Sequence, residues 1–165
     1  MTFTTYNPAA TNNLLEAVPS AITAIKRLSV DDQLGLLWIL YKNLGKVITP
    51  AAPGVARLQL AEGMLNQIKA MSPDEQLQMM RDLVRKVNTP ISRSYGIFSN
   101  NTKLAIWYQL AQWMETGEVI AVPQGYKLSA AASAVFNQLT LLEFGQQITV
   151  LRQIAGDMGV DPLAV

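Results

Sequence analysis

The chain contains no cysteine and no histidine among its 165 residues. Without cysteine there is no disulfide, no thiolate nucleophile and no thioether-linked tetrapyrrole, and the redox compartment is left open. Without histidine the usual general base and the commonest metal and haem ligand are both missing. No glycine-rich loop with phosphate-cradling spacing is present. The carboxylates Asp31, Asp32, Asp74 and Glu75 fall at predicted helix starts, where capping and the helix dipole explain them. These absences point away from an enzyme and from a metal site.

Charge of one sign is also scarce. The formal net charge is +1, whereas a nucleic-acid partner requires a concentrated basic face. Arg81, Arg85, Lys86 and Arg93 do cluster, but Asp82 lies among them. That grouping reads first as a solvated helix face and second as a docking patch for an acidic protein. No apolar run approaches the roughly 20 residues that cross a bilayer. The N-terminus, Met-Thr-Phe-Thr-Thr-Tyr-Asn-Pro, lacks the basic-then-apolar order of a signal peptide. A cytoplasmic protein that does not span the membrane is expected.

What the chain has instead is helix patterning. The stretch from Ser29 to Gly45 carries both ends of a helix: Ser29 as cap, Asp31 and Asp32 in the first turn, and Gly45 as stop. Between Gln33 and Lys42 only the Tyr41 phenol and the Trp38 indole are polar. A helix apolar all round belongs in a core, so burial on most sides is expected, with Leu34, Leu37, Trp38, Tyr41 and Leu44 along one stripe. With 165 residues the chain is long enough to bury about 70% of its extended surface in one domain or two intimately packed subdomains.

In chain order, residues 1–18 read as a tail with one short helix near Thr11 to Ala17, and Pro19 suits the first turn of a helix through Ala21, Ile22, Ile25 and Leu28. Residues 46–54 form an apolar, proline-bearing connection. Helical periodicity runs from Val55 to Met71, and Ser72-Pro73-Asp74-Glu75 is a capping box that starts a helix to about Val87. Leu28 to Leu34 and Met71 to Leu77 are near copies, read as repeated capping chemistry because a solenoid needs three repeats. Residues 88–99, with Pro90 and Gly96, are the candidate hinge. Ser99 caps a helix from Asn100 to Thr116 that Gly117 ends, and two more helices follow over Ser129 to Leu142 and Gly145 to Met158, with Gly159 as stop. Residues 161–165 are a short tail. The short run Val119-Ile120-Ala121-Val122 has no partner with which to build a sheet. An all-α domain over residues 19–160, made of two packed helical bundles, is predicted.

Trp38, Tyr41, Trp107, Tyr108, Trp113 and Tyr126 sit on or beside apolar helices and loops, together with Met79, Met80 and Met114. Such stripes are most often core packing. Buried Tyr and Trp need partners for their polar tips, however, and the central helix offers few. An apolar ligand along the ring faces would use the same residues, and the uncharged connections at 47–56 and 119–126 suit the walls of a long cavity.

Five sets of residues carry a family resemblance: Asp32-Gln33-Leu34 through Trp38 and Tyr41; Gly45-Lys46 with Ala51-Ala52-Pro53-Gly54; Trp107-Tyr108 with Met114; Gly125 to Ser129; and Gly145 to Arg152. In this order they resemble the N-terminal helical domain of the orange carotenoid protein, over about residues 19–160. The resemblance implies two interleaved helical bundles with an apolar tunnel that holds one keto-carotenoid non-covalently, of the canthaxanthin, echinenone or 3'-hydroxyechinenone type. It implies pigment contacts at Leu34, Trp38, Tyr41, Met80, Trp107, Tyr108, Met114 and Tyr126, and Leu37, on the same stripe, is expected to join them. It further implies photoprotection, by quenching singlet oxygen or the excitation of the phycobilisome as heat, with Arg152 at the position associated with phycobilisome contact.

Two departures stand out. Pro50 replaces an isoleucine near the pigment, and at Val165 the two-domain protein would continue into its light-sensing C-terminal domain. The expectation is therefore a helical carotenoid protein without an intramolecular photoswitch, with a separate homologue of that second domain as a candidate carotenoid donor. The rival expectations are a helical protein–protein adaptor that uses the 81–93 patch and the N-terminal tail, and a carotenoid carrier or acceptor without quenching of its own.

Overall fold

The computed structural model describes the backbone of residues 8–44 and 58–163, and side chains from residue 16 onward within those ranges. Every regular element among the described residues is helical. The first helix, α1, runs Pro8–Lys26 with Pro19 in its interior. The predicted break at Pro19 is therefore corrected. Interior proline costs about 3 kcal/mol, and burial of Ala21, Ile22 and Ile25 against the last two helices offsets it.

The second helix, α2, spans Val30–Leu44. Ser29 Oγ accepts from the Asp32 amide at 3.1 Å, as its capping role requires. Gly45 and the apolar connection after it, including Pro50, lie outside the described residues. The core face of α2 is Gln33, Leu36, Leu40 and Leu44, with Gly35 also buried. Of the expected stripe only Leu44 is buried, while Leu34, Leu37, Trp38 and Tyr41 are half-buried. A helix apolar on every side carries no pattern that selects its inner face. Packing against its neighbours decides it, and it turns the aromatic stripe to the flank.

A 3-10 turn, Leu58–Ala61, leads into α3, Glu62–Ala70, where the periodicity predicted one continuous helix. The capping box opens α4, Pro73–Arg85: Ser72 Oγ accepts from the Glu75 amide at 3.3 Å, and Glu75 Oε1 accepts from the Ser72 amide at 3.1 Å. Lys86 closes α4 in the left-handed region, with φ +59°, and the Val87 amide returns to the Asp82 carbonyl at 3.0 Å. Residues 88–99 carry α5, Pro90–Gly96, capped by Thr89. The basic cluster is divided: Arg81 pairs with Asp31, Arg93 donates to Asn88 Oδ1 at 2.6 Å, and Arg85 and Lys86 are exposed.

Ser99 caps α6, Asn100–Thr116, and Gly117 ends it at φ +81°. An extended connection then reaches Ser129, which caps α7, Ala130–Thr140. The last helix is α8, Phe144–Asp157, followed by Gly159 at φ +75°. In the packed molecule α8 lies on α6 and α1, α7 on α1 and α2, and α5 on α3 and α4, while α2 joins the groups through α4, α6 and α7. No described helix is long and apolar enough to cross a membrane.

Candidate functional site

The aromatic residues of α2 and α6 meet. Trp38 and Tyr41, three residues apart and hence on one face of α2, have ring centroids 5.9 Å apart at 31°. The ring of Tyr41 meets Tyr108 of α6 edge-on, at 5.2 Å and 76°, the arrangement that aromatic quadrupoles favour. All three rings are half-buried, as are Leu34 and Leu37 on the same flank of α2. Burial pushes the Tyr41 phenol above its ordinary value, and Glu115 and then Tyr108 add to the effect. Tyr41 is therefore neutral at physiological pH.

Charges sit at the rim and are paired. Lys42 Nζ lies 5.4 Å from the Trp38 ring centroid and 3.2 Å from Glu115 Oε1, so it links α2 to α6 beside the rings. A second such group is Lys69, 4.7 Å from the Trp113 ring and 3.2 Å from Glu118.

Tyr126 reaches α2 from the connection between α6 and α7. A turn with Gly125 at φ +78° and the Tyr126 amide on the Pro123 carbonyl, 3.1 Å, aims the ring. Its phenol packs on Gly35, where any Cβ would overlap it. Two anchors hold the connection. Gln76, 3% exposed, donates from Nε2 to the Ile68 carbonyl at 3.0 Å and accepts from the Ile120 amide at 2.8 Å. Ser129 Oγ donates to Asp32 at 2.9 Å. Burial, followed by Asp32 and Asp31, raises the Tyr126 phenol above its ordinary value.

Trp107 is buried in the core, 8% exposed, and its indole N–H donates to the Tyr95 hydroxyl at 3.0 Å. Met80 is buried on α4, and Met114 packs half-buried against the same core. Arg152 is half-buried on α8, and its Nε has no hydrogen-bond partner among the described residues.

Of the nine residues expected to contact a ligand, Trp38, Tyr41 and Tyr108 thus form one connected group. Leu34, Leu37 and Tyr126 lie along α2 beside it, Trp107 sits in the core toward α5 and α8, and Met80 and Met114 belong to the packed interior. Gly35, Gln76 and Tyr95 were not singled out from the sequence. Glycine inside an otherwise strong helix is a signal for close approach by a neighbour, whereas the partners of Gln76 and Tyr95 are set by tertiary structure alone.

No group of three or more metal-ligating side chains occurs among the described residues. A half-buried row of neutral rings and leucines, with its charges paired at the edge, suits an extended apolar molecule.

Comparison with known proteins gives the family and the fold. The family described as "Orange carotenoid protein, N-terminal" matches residues 11–161. An orange carotenoid-binding domain-containing protein of Nostoc sp. strain PCC 7120 is 62% identical over 149 residues, covering 90% of this chain and 87% of the relative. The structure of the Anabaena (Nostoc) orange carotenoid protein binding canthaxanthin superposes with a TM-score of 0.82 at 45% identity, over 95% of this chain and 53% of that one, so the chain spans about half of that protein. The red carotenoid protein of the same organism, binding canthaxanthin, superposes with a TM-score of 0.74 at 36% identity, over 86% of this chain and 97% of that one.

Proposed function

Because the chain belongs to the orange carotenoid protein N-terminal family, we propose that it binds a keto-carotenoid non-covalently and serves in photoprotection. The observation that carries this reading is the half-buried Trp38–Tyr41–Tyr108 group, a set of ring faces that packing within the chain leaves partly uncovered. In this reading Trp38, Tyr41 and Tyr108 contact an end ring and the start of the polyene. Leu34, Leu37 and Tyr126 flank it, and Trp107, Met80 and Met114 border its deeper course.

No side chain performs covalent chemistry here. A bound conjugated polyene accepts excitation from singlet oxygen or from an antenna and releases it as heat. The side chains hold it straight, exclude water, and set its colour through ring contact. The neutral phenols of Tyr41 and Tyr126 suit this role, since an ionised phenolate beside the polyene would carry a desolvation cost. Arg152, half-buried on α8, is the proposed contact to the phycobilisome. A separate homologue of the second domain is a proposed pigment donor. The setting is the cytoplasm, at phycobilisomes on the thylakoid surface.

The test is the visible spectrum of the protein purified from a host that makes keto-carotenoids. A broad, red-shifted band that travels with the protein through gel filtration is the expected result. A colourless protein with a helical circular dichroism spectrum would overturn the reading and favour a protein–protein adaptor.

A further inference from the structure

Tyr95 is fully buried, 0% exposed, in the short helix α5. An indole nitrogen can only donate, so the Trp107 bond uses the acceptor side of the Tyr95 hydroxyl. The phenol hydrogen goes to the Ala155 carbonyl of α8. Both capacities of the hydroxyl are therefore used, and α5, α6 and α8 meet at one oxygen.

The Tyr95 ring is fixed as firmly as its tip. Lys103 Nζ lies 5.3 Å from the ring centroid and donates to the Gly156 carbonyl at 2.9 Å. The chain after α8 also packs on the ring, where a Cβ at Gly159 would meet Tyr95 Cδ1. The Gly159 and Val160 amides bond the Leu83 and Ser92 carbonyls at 2.9 and 3.1 Å. A rotamer of Trp107 that turns the indole away from Tyr95 would leave its buried N–H unpaired and the acceptor side of the buried hydroxyl empty. Ala155 lies three residues after Arg152, on the same side of α8.

We propose that Tyr95 is a positioning residue for the pigment: its hydroxyl fixes the Trp107 indole against the polyene and ties that indole to α8 beside Arg152. The inference rests on the carotenoid reading above. It makes the colour of the bound pigment depend on a phenol that does not touch it, and it links displacement of α8 to the pigment environment.

The experiment compares wild type, Tyr95→Phe, Trp107→Phe, the double variant and Ser72→Ala, each loaded with canthaxanthin. Tyr95→Phe keeps the ring and removes only the hydroxyl. The expected result is a shifted or broadened visible band and roughly tenfold weaker retention, equivalent to ~1.4 kcal/mol, with no further band change when Tyr95→Phe is added to Trp107→Phe. Ser72→Ala removes the cap of α4, in contact with neither Tyr95 nor Trp107, so it should lower Tm and leave the band in place. A band unchanged in Tyr95→Phe overturns this inference alone, and a colourless wild type overturns the carotenoid reading with it. Should Tyr95→Phe fail to fold, hydrogen exchange of the Trp107 indole N–H in the loaded wild type decides. Strong protection is expected, and rapid exchange overturns the inference.

Discussion

The phenol of Tyr126 occupies the space that a side chain at Gly35 would need. Glycine inside a helix costs about 1 kcal/mol relative to alanine, and α2 carries that cost at Gly35 in order to seat a ring from a distant connection. Gly35→Ala should therefore fail to raise Tm and should weaken pigment retention, because Tyr126 must move. In a Tyr126→Ala background the same change should stabilise the fold by about 1 kcal/mol. Thermal unfolding of the four proteins gives the coupling directly. Equal stabilisation in both backgrounds would show that the ring does not rest on α2.

A second contact of α2 responds to pH. Arg81 donates from Nε at 2.8 Å and from Nη2 at 3.0 Å to the two carboxylate oxygens of Asp31, joining α4 to α2. That hydrogen bonding holds the Asp31 carboxyl below its ordinary 3.8, and outweighs the opposing effect of burial. A carboxyl with a lowered folded value stabilises the fold above its unfolded value and loses that contribution as pH falls through the folded one. Asp31→Asn should thus lower Tm slightly at neutral pH, with the difference from wild type closing below pH 3.8. The effect stays small because the Asp31 side chain is 64% exposed. A difference that persists in strong acid would mean that the substitution acts by another route.

The caps were legible in the sequence because their chemistry is local. Ser29, Ser72 and Ser99 each accept from an amide three residues on, and Gly117 and Gly159 take positive φ where the helices stop. The all-helical class followed from the same signals. Pro19 misled because a local rule for proline competes with tertiary burial, and burial won. The inner face of α2 could not be read, since an all-apolar helix offers every face equally. Trp107 needed a partner for its N–H, and periodicity within α6 could not supply Tyr95 from α5. The Trp38, Tyr41 and Tyr108 group was legible as residue types, but their meeting depends on how α2 crosses α6.

Gln76 tests how the connection that carries Tyr126 is held. Its amide satisfies the Ile68 carbonyl and the Ile120 amide at once, in a site 3% exposed. Gln76→Leu fills the same volume and leaves the Ile120 amide without its acceptor, at about 1–3 kcal/mol, while the Ile68 carbonyl keeps its bond from the Met71 amide at 3.1 Å. The urea midpoint should fall with an unchanged m-value, and pigment retention should fall with it. A Gln76→Leu midpoint within error of wild type would rule out the bridge.

Trp38 and Trp107 separate pigment binding from folding. Trp107 is 8% exposed with its N–H bonded, so Trp107→Ala should cost about 3–5 kcal/mol of stability, and loss of pigment there would report on the fold as much as on the site. Trp38 is half-buried on the flank of α2, and its truncation removes less packing. A bound ligand raises Tm through its affinity for the folded state. Trp38→Ala should therefore leave the apo Tm close to wild type while greatly shrinking the pigment-induced rise. The loss expected for an aromatic anchor is about 2 kcal/mol or more of binding. Trp38→Phe should recover part of that rise and a band nearer to wild type, because a ring face is restored. Equal pigment-induced rises in wild type and Trp38→Ala would show that the aromatic flank of α2 is not the binding surface.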